Sequence, residues 1–276
     1  MMRQRRQLAD VGYLQVAAEH AADLKSDSLD ALGLFPGATV LDLGCGPGGD
    51  VHALAATETY RVVGVDIDLP MLGAARIGTA PGTSATFICA DATRLPFSGS
   101  TFDAVRSERM LQHLPDPARA VTEMTRVTRP GGRLVLIDTD WESLTIEGTG
   151  APATEQLLRD VVLGQIAGSL TAGSDLPAYA AAAGNLEILK VSHTTLTTGD
   201  AALLRLITHL DMAENIALAT GLLDEPGLTA WRGSLASASR HGSLRCSLTL
   251  VMMLAVRPGG SGMRLAHGVS HRPASR

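Results

Sequence analysis

Three carboxylates and a run of glycines are the residues best suited to chemistry. Asp42 precedes Gly44-Cys45-Gly46-Pro47-Gly48-Gly49, Asp66 ends Val62-Val63-Gly64-Val65-Asp66, and Asp91 follows Ile88-Cys89-Ala90. Glycines allow positive φ and let a ligand lie against bare main chain. Gly44, Gly46 and Gly49 satisfy GxGxxG, the dinucleotide fingerprint, and a purely structural turn would give the same letters. Asp42 can serve a cationic ligand group, whereas the pyrophosphate of a nicotinamide dinucleotide would be repelled by it and by Asp50. Asp66 stands about twenty residues on, where a carboxylate can accept both ribose hydroxyls. Asp91 can take the exocyclic amine of an adenine.

These groups need a scaffold that brings strand ends together. Short apolar runs predict strands at Thr39–Leu43, Arg61–Val65, Ala85–Cys89, Phe102–Ser107 and Gly132–Asp138, alternating with helices. That rhythm predicts a parallel sheet covered by helices, whose ligands bind outside the carboxyl ends of the strands. Asp116 and Pro117 predict a helix start, and Pro130-Gly131-Gly132 its stop. Leu14, Ala17, Ala21 and Leu24 recur at helical spacing and predict helices over residues 8–33. Past Trp141 the pattern predicts helix over about 153–183, broken by Gly173 and Pro177. A strand at Leu186–Leu196, a long helical stretch over about 200–240 and a strand at Cys246–Val256 follow. Leu203, Ile207, Leu210 and Ala217 mark one face of the first helix in that stretch. Residues 258–276 read as a disordered tail.

The stretch from about Gly37 to Trp141 resembles the class I S-adenosylmethionine methyltransferases, particularly the small-molecule enzymes related to the ubiquinone and menaquinone methylases. The resemblance rests on VLDLGCGPG (Val40–Gly48), VVGVDID (Val62–Asp68), ADATRLPFSGSTFDAV (Ala90–Val105) and LQHLPDPARAVTEMTRVTRPGGRLVLID (Leu111–Asp138), in order. It implies an α/β, doubly wound, seven-stranded, mostly parallel Rossmann-like sheet of order 3-2-1-4-5-7-6 with an antiparallel seventh strand and helical lid inserts. It also implies S-adenosylmethionine as cofactor. Asp42 and the Gly44, Cys45, Gly46 and Gly48 backbone would hold its methionine moiety, Asp66 the ribose, Asp91 and Ala92 the adenine. Ile67 would pack on the adenine face, and Ser107 completes the cofactor set. One domain over residues 1–257 is expected, with a core at 37–142 and lid inserts at about 143–183 and 200–240.

A sulfonium methyl is already activated, so the protein must align a nucleophile with it and, for a weakly acidic acceptor, supply a base. His113 is the candidate catalytic base; ordering its loop or lining the pocket is the plainer reading. Asp138 or Asp140 could orient it. Trp141 could wall the acceptor or pack beneath the lid. Tyr13 and His209 are candidate substrate contacts, with an interfacial role open for His209. Lys25 could pair with the methionine carboxylate or remain a surface lysine. Cys45 is expected to pack inward.

Bulk properties narrow the partner. A net charge of -5 and only 3% aromatic residues argue against nucleic acid. No run of about 18 apolar residues is present, so no membrane span is expected. Arg3, Arg5 and Arg6 lack the apolar stretch of a secretory signal. Cys45, Cys89 and Cys246 form no CxxC pair, which excludes usual zinc spacings and suits a reducing, cytoplasmic setting. No metal is expected. The Leu-, Ala-, Ile- and Met-rich lid suits an apolar or amphipathic small molecule, a quinone-like ring or a natural-product intermediate, methylated on oxygen or carbon, with the protein a monomer or homodimer. A non-methylating scaffold such as a cyclase, and a nicotinamide-dependent oxidoreductase, are the alternatives.

Overall fold

Alternating apolar side chains in the central strands must be covered on both faces, and the computed structural model shows how. It describes residues 22–80, 82–166 and 168–259. In chain order the elements are α1 (Ala22–Ala31), β1 (Thr39–Leu43), α2 (Gly49–Ala55), β2 (Arg61–Asp66), α3 (Leu69–Ile77), β3 (Ala85–Cys89) and β4 (Phe102–Glu108). A 3-10 turn (Leu111–His113), α4 (Pro117–Val127), β5 (Thr128–Glu147), α5 (Pro152–Gly164), α6 (Leu176–Ala183) and β6 (Glu187–Thr198) follow. Last come α7 (Ala201–Thr208), α8 (Leu210–Ala219), α9 (Glu225–His241) and β7 (Arg245–Val256). The sheet order is β3-β2-β1-β4-β5-β7-β6. β1 to β5 pair in parallel, and β7 runs antiparallel to both β5 and β6.

The two-residue period of the strands sorts the core into layers. Leu41, Leu43, Val105, Leu134 and Leu136 pack with Val121, Met124 and Val127 of α4. Val40, Ala104, Val135 and Ile137 turn to the opposite face, among Leu24, Leu32, Val51, Leu54 and Leu72. Each such buried Val, Leu, Ile or Met side chain contributes about 1.5–3 kcal/mol. A third cluster stands apart, joining Trp141, Leu144 and Ile146 to Leu158, Leu204, Leu210, Trp231 and Leu248. This is the core of the helical insert.

Several boundaries differ from the sequence reading. β5 does not end at Asp138. It continues to Glu147 because β7 keeps pairing with it beyond a register shift between Asp140 and Thr145. α4 ends at Val127, where Thr128 turns extended and donates its hydroxyl to Met124 O. Pro130-Gly131-Gly132 lies inside the start of β5, so the stop comes before the proline. Pro177 sits in the first turn of α6, where proline is tolerated, and breaks nothing. The stretch 200–240 is three helices. His209 takes φ 50° between α7 and α8, so the two do not share one stripe, and Leu204 and Thr208 are the buried positions of α7. Of the N-terminal helical region, α1 is seen. Tyr13 and residues 8–21 lie outside the described residues, as does the tail from 260 onward. Among the described residues no helix is long and apolar enough to cross a membrane.

Candidate functional site

The glycine loop is shaped by what surrounds it. Gly44, Gly46 and Gly48 have φ of 78°, 51° and 83°, a region that costs other residues about 1–2 kcal/mol. A Cβ on Gly44 would meet Met110 at 2.5 Å, and one on Gly48 would meet Phe87 at 2.9 Å. Gly44 and Cys45 donate their N–H groups to Val65 O. Asp66 closes the arrangement, since its carboxylate accepts from Gly46 N at 2.8 Å and Asp68 N at 2.9 Å. Each of its oxygens keeps a second lone pair for a ligand hydroxyl. Cys45 packs inward and is buried, with burial pushing its thiol well above the usual range.

Asp42 does not face an open loop. It is buried beside Arg106, its register partner on β4, at 3.5 Å. Arg106, 1% exposed, also pairs with Asp50 at 2.7 Å and Glu108 at 2.5 Å, and donates to Ser28 Oγ of α1. Lys25 of α1 pairs with Asp50 at 2.5 Å, and Arg109 with Glu108 at 3.2 Å. Burial raises the Asp42 carboxyl to about 7 against the pull of Arg106. At Asp50 burial also acts upward, but Arg106 and Lys25 outweigh it and hold the carboxyl low. These six charges line one side of a cavity of about 390 Å³, and Gly44, Cys45, Gly46 and Pro47 line another. Lys25 is therefore a cavity residue rather than a free surface lysine. Arg106 and Glu108 were missed by the sequence reading. Their signal was a charged residue inside an apolar strand, which must find a partner when buried.

The residues expected on the adenine side stand further along the sheet edge. Asp91 is exposed, and both Thr93 groups donate to its Oδ1, which lowers its pKa and leaves Oδ2 open. Ile67, 58% exposed, offers an apolar side chain one residue past Asp66, while Ala92 is buried. Ser107 is buried on the opposite face from Arg106, and its hydroxyl has no hydrogen-bond partner among the described residues.

His113 closes the 3-10 turn after β4. Asp138, fully buried and raised to about 7 chiefly by burial, accepts from Leu111 N, Gln112 N and Thr139 N. It orders the backbone of the turn rather than the His113 ring. Asp140 instead accepts from Ser174. The ring has an exposed edge, yet the atoms packed about it, and then Arg109, hold its pKa below the ordinary histidine value. Trp141 is buried in the third core cluster and donates its indole N–H to Gln112 Oε1 at 2.5 Å. It packs inside the helical insert, the plainer of the two expectations for it. The segment after α5 is tied down as well, through Ser169 N to Gln112 O, Trp141 N to Leu170 O and Gly173 N to Thr139 O. His209 lies at the α7–α8 junction and is not among the cavity-lining residues, and burial lowers its pKa. Among the described residues no group of three or more His, Cys, Asp or Glu side chains is placed to hold a metal ion.

Comparisons agree with this geometry. The methyltransferase domain family matches residues 41–136. The demethylmenaquinone methyltransferase of Renibacterium salmoninarum is 38% identical over 113 residues, covering 40% of this chain and 45% of that protein. The 2-methyl-6-phytyl-1,4-hydroquinone methyltransferase of Synechocystis is 41% identical over 105 residues, covering 38% of this chain and 33% of that one. The chain thus spans less than half the length of these two curated relatives. A methyltransferase structure from Bacillus halodurans shares the fold with a TM-score of 0.58 at 18% identity, covering 84% of this chain and 98% of its own. The matched stretch contains the glycine loop, the three carboxylates and the His113 turn. Residues 41–136 thus match a methyltransferase domain family and are similar in sequence to the quinone methylases, within a fold shared with solved methyltransferase structures.

Proposed function

We propose that this protein transfers the methyl group of S-adenosylmethionine to an oxygen or carbon of an apolar or amphipathic small molecule with a quinone-like ring. The observation that carries the donor side is the balanced set of three cations and three carboxylates against the glycine loop. A set of that kind suits a zwitterion, the ammonium and carboxylate of a methionine moiety. Asp42 and the Gly44–Gly48 backbone would hold that end, Asp66 the ribose, Asp91 and Ala92 the adenine, with Ile67 against its face. The bound cofactor supplies an electrophilic methyl carbon, and the protein's work is alignment and exclusion of water. The acceptor would lie towards the His113 turn, under the helices that share the third core cluster. The names of the two relatives support a ring acceptor, and the apolar lid supports a small molecule over a macromolecule. A cytoplasmic setting is part of this reading and is supported by the three free cysteines.

Incubation with methyl-labelled S-adenosylmethionine and demethylated naphthoquinols tests the reading. Label in an organic-soluble product supports it. Label retained on the donor, with NAD(P) binding in place of S-adenosylhomocysteine, would overturn it.

A further inference from the structure

Gln112 is held at both ends of its side-chain amide. Its oxygen accepts from the Trp141 indole N–H, and its nitrogen donates to Arg109 O at 3.2 Å. An indole only donates and a carbonyl only accepts, so these partners fix which end of the amide is which. The same nitrogen lies 3.3 Å from His113 Nε2. It has only hydrogens to offer, so Nε2 must present its lone pair, and the neutral ring carries its hydrogen on Nδ1. Protonating Nε2 would set N–H groups head to head. Trp141 belongs to the buried third core cluster, so the anchor does not yield easily.

The charged groups around the ring fit this arrangement. Arg109 at the end of β4 disfavours an imidazolium, and Asp66 at the end of β2 works the other way. Asp138 of β5 is engaged by backbone N–H groups, and Asp116 at the head of α4 by Arg119 N.

We propose that Gln112 is a positioning residue that holds His113 as a neutral Nδ1–H donor, so that the site takes acceptors whose oxygen is already ionised, a phenolate or an enolate. This rests on the methyl-transfer reading above. In the step, an acceptor lone pair forms the O–C bond while the S–C bond gives its electron pair to sulfur. The acceptor's negative charge and the sulfonium's positive charge cancel, and no proton passes to the protein. A base role for His113 would instead need an Nε2–H directed at the Gln112 amide.

The ring nitrogens of His113 are read by 15N NMR in the full chain, with the signal assigned by its loss in His113→Asn. A neutral Nδ1–H ring is expected at about pH 8, with the imidazolium forming only at lower pH than in a free histidine. Gln112→Met should move the tautomer ratio towards Nε2–H on the order of tenfold, the worth of one such hydrogen bond. Gln112→Glu keeps an acceptor for Trp141 and should reverse the tautomer and raise the ring's pKa. If Gln112→Met does not fold, the wild-type spectrum and Gln112→Glu decide. An Nε2–H ring or an imidazolium in the wild type at about pH 8, or a ratio unmoved by both variants, would overturn the positioning role. In the complex with S-adenosylhomocysteine, 4-nitrophenol should ionise at lower pH than when free, and less so in His113→Ala; unchanged ionisation would overturn the acceptor class. Calorimetry with S-adenosylhomocysteine on the same samples keeps the claims separate, because absent binding overturns the methyl-donor reading while the tautomer result stands.

Discussion

The glycine-loop half of the molecule and the helical insert bury their polar groups in opposite ways. At the loop, six charged side chains from α1, β1, α2, β4 and the residue after β4 crowd against a cavity, and one of them, Arg106, serves three carboxylates. In the insert, an apolar cluster encloses a fully buried charged pin. Glu214 is fully buried and accepts from Trp231 Nε1 at 2.9 Å, Arg205 at 2.8 Å and Arg232 at 2.8 Å. The first arrangement leaves charge where a ligand can exchange for it. The second satisfies its charge internally and leaves only shape to the solvent side. The contrast suits charge recognition on one side and an apolar enclosure on the other.

The sharpest way to break this contrast is Arg106→Met. Removing the cation leaves Asp42, Asp50 and Glu108 buried together, which should cost about 3–5 kcal/mol. Thermal unfolding should show it, and donor binding should vanish with it. Leu204→Ala should cost about 2–5 kcal/mol by opening a cavity in the insert. Calorimetry should nevertheless find its affinity for S-adenosylhomocysteine nearly unchanged; a large loss would mean that the two halves are not separable. Asp66→Asn would turn its amide N–H groups towards Gly46 N or Asp68 N, so it should cost about 1–3 kcal/mol of stability and weaken S-adenosylhomocysteine by about tenfold.

The smallest effect concerns pH. Asp138 is raised from 3.8 to about 7 in the folded chain, so the folded state holds a proton that the unfolded state releases between those values. Its contribution to stability is full below about pH 4 and lost as pH rises through about 7. Asp138→Asn mimics the protonated form and should flatten that decline, by a few degrees of melting temperature between about pH 5 and about pH 8. A parallel decline in wild type and variant would assign the pH dependence elsewhere, with Asp42 as the next candidate.

Legibility in the sequence followed the range of the contacts. β1 and β3 run from Thr39 to Leu43 and Ala85 to Cys89 as expected, because both are short apolar runs closed by local turn residues. Asp116 caps α4 through Arg119 N, a contact only three residues long. The extension of β5 to Glu147 depends on Ser247, Cys246 and Arg245 across the sheet, about a hundred residues away in the chain, and no local pattern announces it. The role of Gln112 depends likewise on Trp141, twenty-nine positions later. Arg106 was readable in principle as a charge inside Phe102–Glu108, but its partners were not. The break at His209 was invisible because a left-handed histidine leaves no mark on an apolar period.

Calorimetric titration of the purified chain with S-adenosylhomocysteine, set beside NAD and NADP under the same conditions, tests the central claim most directly. Saturable one-to-one binding of S-adenosylhomocysteine, weakened in Asp66→Asn and absent in Arg106→Met, with no heat from either dinucleotide, is the expected result. Binding of a dinucleotide, or S-adenosylhomocysteine binding that ignores both substitutions, would contradict it.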